Sequence, residues 1–302
     1  MRKYLIIICF IISIFIMSGC LDTTPGHSVG STFNITLNGD KIESDCLTAD
    51  INKTRITIVE AGTYNVTGTL NDGQIVVEAV NCDVTLVLDN AHITCSNSAP
   101  IYIKVAKDTS VILKEGTENT LTDGTSYVFD NTDSEPDAAL FSKDDLIVGG
   151  KGTLTINSNF NDALTSKDDL TINECKLFIN SVGDGIKGKD SVVIDKAELT
   201  LAVKNDGIKT TNDVDLNRGY MTITDSIIKI NSVDEAISVI NKLTVHKSEI
   251  TIDTQNNGMR TNDIMDLTDS IITIDTLDDD MQAATINKDA NTIITVNGNV
   301  QQ

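Results

Sequence analysis

The stretch that decides the fold is Asp-Gly-Ile-Lys-Gly-Lys-Asp-Ser-Val at residues 184–192. Related stretches in the same frame begin at residues 138, 162, 206, 235, 257 and 279. The successive steps along the chain are therefore 24, 22, 22, 29, 22 and 22 residues. A regular repeat of this length is typical of a solenoid, in which each repeat forms one coil.

Within each repeat, apolar residues alternate with polar ones, as in Leu199, Leu201 and Val203. This alternation, in short runs rich in Thr, Ile and Val, favours strands over helices. We predict about three strands in each repeat and an all-β fold, a right-handed parallel β-helix with coils of about 22 residues. A propeller blade needs about 40 residues, and a leucine-rich repeat has its own Leu/Asn pattern, so neither alternative fits.

Equivalent apolar positions of the repeats should stack along the axis of such a tube. Consecutive coils lie about 4.8 Å apart, so each set of equivalent residues becomes a continuous buried ladder. One predicted ladder contains Leu140, Leu164, Ile186, Ile208, Ile237, Met259 and Met281, and another contains Leu177, Leu199, Ile228, Ile250 and Ile272.

The N-terminus has the features of an export signal. Arg2 and Lys3 precede the apolar run Leu5 to Met17, which ends at Ser18-Gly19-Cys20. We predict a lipoprotein signal peptide over residues 1–20, with Cys20 as the lipid attachment site; an uncleaved anchor helix is the alternative. Residues 21–53 would form a tether and N-terminal cap, and residues 54–302 the β-helix. The protein would then be an extracytoplasmic lipoprotein, anchored to the membrane at the cell surface.

Composition limits the possible partners. The 302 residues carry 44 acidic and 23 basic side chains, a formal charge of −21. This charge repels phosphate backbones, so we expect no nucleic acid partner. Apart from Cys9 and Cys20 there are four cysteines, at positions 46, 82, 95 and 175, and export permits disulfides. Four thiols allow three pairings, and buried single thiols are equally consistent with the sequence.

Two positions of the repeat are persistently acidic or amidic. The first acid row contains Asp162, Asp184, Asp206, Glu235, Asn257 and Asp279, and the second contains Asp144, Asp168, Asp190, Asn212, Asn241 and Asp263. Carboxylates stacked about 4.8 Å apart repel one another, by roughly 3.5 kcal/mol per pair at an effective dielectric of about 20. The rows therefore require compensation.

Calcium is one form of compensation, because oxygen ligands on either side of one ion span about the distance between two coils. The alternative is that Asp and Asn side chains cap the bends by bonding to the backbone. The 29-residue step adds a further loop within residues 213–221, and function often lies in loops on a rigid scaffold. The predicted Ca²⁺ ligands are Asp162, Asp184, Asp206, Asp168, Asp190, Asn212, Asp213 and Asp215.

Outward positions of the repeat form a basic stripe, defined as Lys143, Lys167, Lys187, Lys189, Lys209 and Arg260. Ammonium and guanidinium groups pair with carboxylates, so the stripe can hold an acidic sugar polymer; mutual neutralisation with the acid rows is the alternative. We predict carbohydrate contacts from Lys167, Lys187, Lys189, Lys209, Arg218, Tyr220 and Arg260.

Several of these motifs resemble a known family. Asp137-Ala-Ala-Leu-Phe-Ser-Lys-Asp-Asp-Leu, Asp184-Gly-Ile-Lys-Gly-Lys, Asp206-Gly-Ile-Lys-Thr-Thr-Asn-Asp and Arg218-Gly-Tyr look like the carbohydrate-binding β-helix family first defined in a cellulolytic clostridium. The resemblance covers roughly residues 55 to 290. It implies a fold like that of polysaccharide lyases, calcium sites, affinity for cellulose-like and acidic polysaccharides, and no established catalysis. Glu235-Ala-Ile-Ser and Asp279-Asp-Met-Gln depart from the family's corner motif.

The expected function is Ca²⁺-dependent, non-catalytic binding of polysaccharide by a monomer. A Ca²⁺-dependent uronate lyase is the first alternative; it would need a basic side chain whose pKa is shifted toward neutrality, and Lys187, Lys209, Arg218 and Arg260 are candidates. A structural surface adhesin is the second alternative.

Overall fold

The computed structural model describes residues 30–129 and 134–301. The predicted signal peptide and its lipid site at Cys20 lie outside the described residues. In the N-terminal half the strands are β1 Thr32–Gly39, β2 Ile42–Ser44, β3 Asp50–Asn52, β4 Arg55–Ile58, β5 Gly62–Leu70, β6 Gln74–Glu78, β7 Asp83–Cys95, β8 Ile101–Val105, β9 Asp108–Leu113, β10 Glu118–Asp123, β11 Ala138–Ser142, β12 Asp145–Gly149, β13 Thr153–Ser158, β14 Asp162–Ser166, β15 Asp169–Asn173 and β16 Lys176–Ser181.

In the C-terminal half the strands are β17 Ile186–Gly188, β18 Ser191–Asp195, β19 Glu198–Val203, β20 Ile208–Thr210, β21 Tyr220–Thr224, β22 Ile227–Ser232, β23 Ile237–Val239, β24 Lys242–His246, β25 Glu249–Thr254, β26 Met259–Thr261, β27 Ile264–Thr268, β28 Ile271–Thr276, β29 Met281–Gln282, β30 Thr285–Lys288, β31 Ile293–Val296 and β32 Asn299–Gln301. Residues 30–129 and 134–301 contain no helix long and apolar enough to cross a membrane.

The strands wind into a parallel β-solenoid of about ten coils. One strand of each coil belongs to an eleven-stranded sheet that runs from β3 to β29, and the others belong to a 21-stranded sheet. A regular coil is β17, β18 and β19, which pair in parallel with β20, β21 and β22 of the next coil. The predicted all-β parallel β-helix with three strands in each repeat is confirmed.

Both predicted ladders are present. Ile186 pairs with Leu164 before it and with Ile208 after it, and all three are fully buried. Leu199 lies between Leu177 and Ile228 in the second ladder. These residues belong to one core cluster along the inside of the tube, so burial of apolar surface holds the coils together.

The N-terminal end of the tube contains β1, β2 and β3. β1 joins β5 in parallel, while β2 returns antiparallel to β1 and β3 lies antiparallel to β4. The assignment of residues 21–53 to a tether and cap stays a prediction. Cys46, Cys95 and Cys175 are buried free thiols.

The described residues between β10 and β11 leave the tube. We call these residues, 124–129 and 134–137, the arm. Tyr127 of the arm stacks on Phe160 with ring centroids 4.2 Å apart, and its hydroxyl donates to Asp123 at 2.8 Å. The arm therefore packs on the outside of the solenoid.

Candidate functional site: an acidic corner beside the inserted loop

The first acid row caps the backbone of the following coil. Oδ1 of Asp162 accepts the Asp184 amide at 2.9 Å, and Oδ1 of Asp184 accepts the Asp206 amide at 3.2 Å. Oδ1 of Asp206 accepts the Glu235 amide at 3.0 Å. All four acidic side chains belong to buried residues. The carboxylates of Asp162, Asp184 and Asp206 thus each satisfy a buried N–H group that would be costly to leave without a partner.

The basic stripe neutralises the same carboxylates. Lys187 donates to Oδ2 of Asp162. Lys209 lies 3.0 Å from Oδ2 of Asp184 and 2.9 Å from Oδ2 of Asp206. Burial lowers the pKa of both lysines, but the neighbouring carboxylates more than offset this and raise it above its usual value. Both ammonium groups are therefore fixed and charged.

The ends of the stripe follow the same rule. Arg260 lies 2.8 Å from Oε1 of Glu235. Lys143 and Lys167 hold the arm residue Glu135 at 2.9 and 3.2 Å. These ion pairs correspond to the alternative in which the basic stripe and the acid rows neutralise each other. Lys189 is exposed, and within residues 30–129 and 134–301 no ion pair is seen for it.

The second acid row lies at a different corner, between the eleven-stranded sheet and the second strand of each coil. Here Asp145, Asp168 and Asp169 each offer a carboxylate oxygen, and these oxygens lie within 4.8 Å of one another. Oδ1 of Asp145 accepts the Asp169 amide at 3.1 Å, and Oδ1 of Asp169 accepts the Ser191 hydroxyl at 2.6 Å. We call Asp145, Asp168, Asp169 and Asp190 the acidic corner.

Burial and the neighbouring carboxylates change the pKa values at this corner. Burial, the hydrogen bond with Asp190 and the charges of Asp145, Asp190 and Asp169 raise the pKa of Asp168 to about 6. Burial acts in the same direction on Asp190, but the Asn212 amide, 2.6 Å from Oδ1, and the proton shared with Asp168 lower the pKa of Asp190. The corner therefore carries more negative charge than its surroundings compensate.

The inserted loop supplies the cation that faces this corner. Nη1 of Arg218 lies 3.1 Å from Oδ2 of Asp169 and 3.5 Å from Oδ2 of Asp190. The loop closes at Gly219, whose φ is +70° and whose amide donates to the Asp190 carbonyl at 2.6 Å. A side chain at Gly219 would meet the Asn212 carbonyl at 2.6 Å, so this turn needs glycine.

The rest of the loop points away from the corner. Asp213 and Asp215 are exposed, and the hydrogen bonds described for Asp215 are to residues 212, 217 and 218 within the loop. Tyr220 starts β21 in register with Ser191, and its side chain is exposed. Two groups of predicted residues come together. Asp168, Asp190, Asn212 and Arg218 lie at the acidic corner, whereas Asp162, Asp184, Asp206, Lys187 and Lys209 lie together in the first acid row.

Asp145 and Asp169 complete the corner but were not among the predicted ligands. Their signal in the sequence is the repeated Lys-Asp-Asp of residues 143–145 and 167–169, in which two successive coils double the acid. These residues open β12 and β15 on the outer face, so each coil adds a second carboxylate beside the row.

The donor set fits a hard divalent cation. All the ligand atoms are carboxylate oxygens, which Ca²⁺ prefers, and ligands on opposite sides of one Ca²⁺ lie about 5 Å apart. The oxygens of Asp145, Asp168 and Asp169 lie within 4.8 Å of one another, close enough to reach one such ion. Burial is the first cause of the raised pKa of Asp168, and a bound cation would offset the second, the charges of the neighbouring carboxylates.

Comparison with known proteins gives consistent matches. A family model described as carbohydrate-binding domain-containing protein matches residues 52–255. A carbohydrate-binding domain-containing protein of Acetivibrio thermocellus is 36% identical over 178 residues, which are 56% of this chain and 62% of the relative. The chain thus spans less than two thirds of that relative. A solved polysaccharide lyase-like protein from C. thermocellum, a gadolinium derivative, is 28% identical with a TM-score of 0.74, covering 88% of this chain and 100% of that one.

Proposed function

We propose that this chain, which belongs to the carbohydrate-binding domain-containing family, binds acidic polysaccharide with the help of Ca²⁺ and does not cleave it. The family assignment supports carbohydrate binding itself. Calcium dependence, the acidic nature of the glycan, the absence of catalysis and a lipid-anchored position at the cell surface are the parts that we add.

The observation that carries the proposal is the acidic corner. Asp145, Asp168 and Asp169 would hold Ca²⁺, which supplies positive charge and open coordination positions for the carboxylate of a uronate. Arg218 lies beside the same carboxylates and presents a guanidinium that can pair with a second acidic group of the chain. A strongly anionic protein thereby gains a local site for an anionic polymer.

The solved relative supports a hard cation on this fold. That protein was obtained as a gadolinium derivative, and gadolinium is a trivalent ion that, like Ca²⁺, prefers oxygen ligands. The resemblance adds support for a cation but does not identify the ligands. We place the ion at the acidic corner on the geometry of this chain alone.

The protonation of the basic residues supports binding rather than elimination. A lyase base must lose its proton near neutral pH. Neighbouring carboxylates instead raise the pKa of Lys187, Lys209, Arg218 and Arg260, despite the opposing effect of burial. The lyase-like relative keeps a Ca²⁺-dependent uronate lyase as the second candidate, and an unsaturated product absorbing in the ultraviolet would favour it.

Retention on insoluble polygalacturonate tests the proposal. We expect the wild-type chain to be retained in Ca²⁺ and released by a chelator, and D168N/D169N to be released in both conditions. The matched control is D213N, which removes an exposed carboxylate of the loop and should be retained like the wild type. Equal retention of the wild type with and without chelator would contradict the role of calcium, and no retention on this or other polysaccharides would contradict the function.

A further inference from the structure

Three lysines of the basic stripe occupy the same place in consecutive coils. Lys143, Lys167 and Lys189 directly follow β11, β14 and β17, strands of the eleven-stranded sheet that pair in register. The Lys167 amide donates to the Ser142 carbonyl at 2.9 Å, and the Lys189 amide donates to the Ser166 carbonyl at 3.0 Å. Equivalent residues of neighbouring coils lie about 4.8 Å apart. We call Lys143, Lys167 and Lys189 the lysine column.

The first two lysines of the column hold one carboxylate between them. Nζ of Lys143 lies 2.9 Å from Oε2 of Glu135, and Nζ of Lys167 lies 3.2 Å from Oε1 of the same side chain. Burial raises the pKa of Glu135, but the two lysines outweigh this effect and bring the pKa below its usual value. Two lysines that lie one coil apart therefore form a clamp that favours a charged carboxylate.

The carboxylate in this clamp does not come from the repeat. Glu135 belongs to the arm, a segment between β10 and β11 that occurs once in the chain. The coils supply the two lysines, and the arm brings the carboxylate to them from outside the tube. Glu135 thus contacts the lysine column in the way that an acidic ligand would.

Lys167 and Lys189 form a second pair, one coil further along the column. Lys189 is exposed, and among the described residues no carboxylate lies within ion-pair distance of its ammonium group. Its backbone is fixed, because its carbonyl accepts the amides of Thr211 at 3.2 Å and Asn212 at 2.9 Å. Nζ of Lys167 lies 5.8 Å from the centre of the Phe141 ring, which orients this side chain. The second pair is therefore accessible from solvent and built like the first.

The lysine column lies directly beside the acidic corner. Lys167 precedes Asp168 and Lys189 precedes Asp190, so each of these coils carries a lysine and then an acid. Burial raises the pKa of Asp190, and the charge of Lys189 is among the influences that lower it. A polysaccharide that lies along the tube advances by about one sugar residue for each coil. One of its acidic groups could then reach Ca²⁺ at the corner while another reaches the second lysine pair.

We propose that Lys167 and Lys189 bind a carboxylate of the polysaccharide, and that Glu135 occupies the neighbouring clamp as an internal competitor. The inference rests on the proposed function and deepens it, because it names the contacts of one acidic group and a residue that limits the length of the site. The polymer extends from this clamp toward the inserted loop, since Glu135 closes the column on the other side.

Titration calorimetry of trigalacturonate in Ca²⁺ tests the second lysine pair. We expect K189M to weaken binding about tenfold, because one charged contact to the carboxylate is lost. The control is K204M, which removes an exposed lysine on another face of the tube and changes the net charge equally. Full affinity in K189M, or equal weakening in K189M and K204M, would overturn the inference.

Replacement of Glu135 tests the competition. E135Q removes the internal carboxylate and opens the clamp of Lys143 and Lys167 to the ligand. Hexagalacturonate, which is long enough to use the added position, should then bind about tenfold more tightly in Ca²⁺. E115Q, which neutralises an exposed acid in the turn between β9 and β10, is the control. An unchanged or lower affinity in E135Q, or an equal gain in E115Q, would contradict the competition.

Acetylation of lysines, measured by mass spectrometry, gives a readout in the wild type. We expect bound trigalacturonate to slow acetylation of Lys189 relative to Lys204, and unchanged relative rates at saturation would contradict the site. Binding in Ca²⁺ without protection of Lys189 would overturn this inference alone. No binding of trigalacturonate by the wild type in Ca²⁺ would instead mark failure of the proposed function, and the inference would fall with it.

Discussion

The guanidinium of Arg218 lies 3.1 Å from the carboxylate of Asp169, although the two residues are 49 positions apart in the chain. The contact exists because the inserted loop returns over the preceding coils and sets its guanidinium against the carboxylates of Asp169 and Asp190. Arg218 would thus compete with any metal cation that binds at the acidic corner. Once such a cation is bound, Arg218 would pair with an acidic ligand instead.

Replacement of Arg218 should separate these two roles. In R218Q, we expect the melting temperature without Ca²⁺ to fall, because the carboxylates lose a compensating charge, and the increase caused by Ca²⁺ to become larger. Thermal melting with and without Ca²⁺ measures both effects. R260Q is the control, since its partner Glu235 belongs to the other corner; an equal change in the Ca²⁺ effect in both variants would contradict the assignment.

The raised pKa of Asp168 predicts an unusual pH dependence. Because the folded protein binds this proton more tightly than the unfolded chain, whose carboxyl pKa is 3.8, Asp168 contributes stability at low pH that is lost as the pH rises through about 6. Without Ca²⁺, we expect the melting temperature to decrease from pH 4 to pH 6.5 through this group. D168N should flatten that part of the profile, and Ca²⁺ should stabilise more at pH 7 than at pH 4.5. A profile unchanged by D168N would show that other groups control it.

The buried ion pair of Lys187 with Asp162 should be strongly required. In K187M, Asp162 keeps a buried charge without its partner, which costs about 3 kcal/mol or more in the free energy of unfolding at pH 7. We expect the double variant K187M/D162N to recover part of this loss, and denaturant unfolding measures it. If K187M is as stable as the wild type yet no longer binds polysaccharide, the stripe acts as a binding track instead of a structural pair.

One core hydroxyl is expected to weaken the fold. Thr109 stands between Val84 and Leu146 in an inward ladder, is fully buried, and its Oγ1 is without a hydrogen-bond partner among the described residues. T109V keeps the shape and removes the unsatisfied group, so we expect a gain of about 1 kcal/mol in unfolding free energy. T171V, on the outer face, is the control. A loss of stability in T109V would indicate a water or other partner for the hydroxyl.

The sequence predicted the parts of the molecule that repeat. Equivalent residues such as Leu164 and Ile186 are separated by a nearly constant number of residues along the chain. This spacing is visible in the sequence without any knowledge of the three-dimensional contacts. The two acid rows were also predicted, but the difference between their roles was not. Asp162 and Asp168 occupy similar positions in the sequence repeat. In the structure, Asp162 is buried beside Lys187, and this contact distinguishes the first acid row from the second.

Features that break the repeat were not accessible in this way. The stacking of Tyr127 on Phe160 joins a segment that occurs once to a corner of one coil, so no second copy indicates it. The same holds for the ion pair of Arg218 with Asp169, because the inserted loop occurs in one coil only. Such positions depend on packing between non-equivalent segments.

The most direct test of the account is calorimetric titration of trigalacturonate into the protein with and without Ca²⁺. We expect binding by the wild type in Ca²⁺, no binding in chelator, and no binding by D168N/D169N in either condition, while D213N behaves like the wild type. Binding of trigalacturonate with equal affinity in chelator, or by D168N/D169N in Ca²⁺, would contradict a calcium-bridged acidic corner as the polysaccharide site.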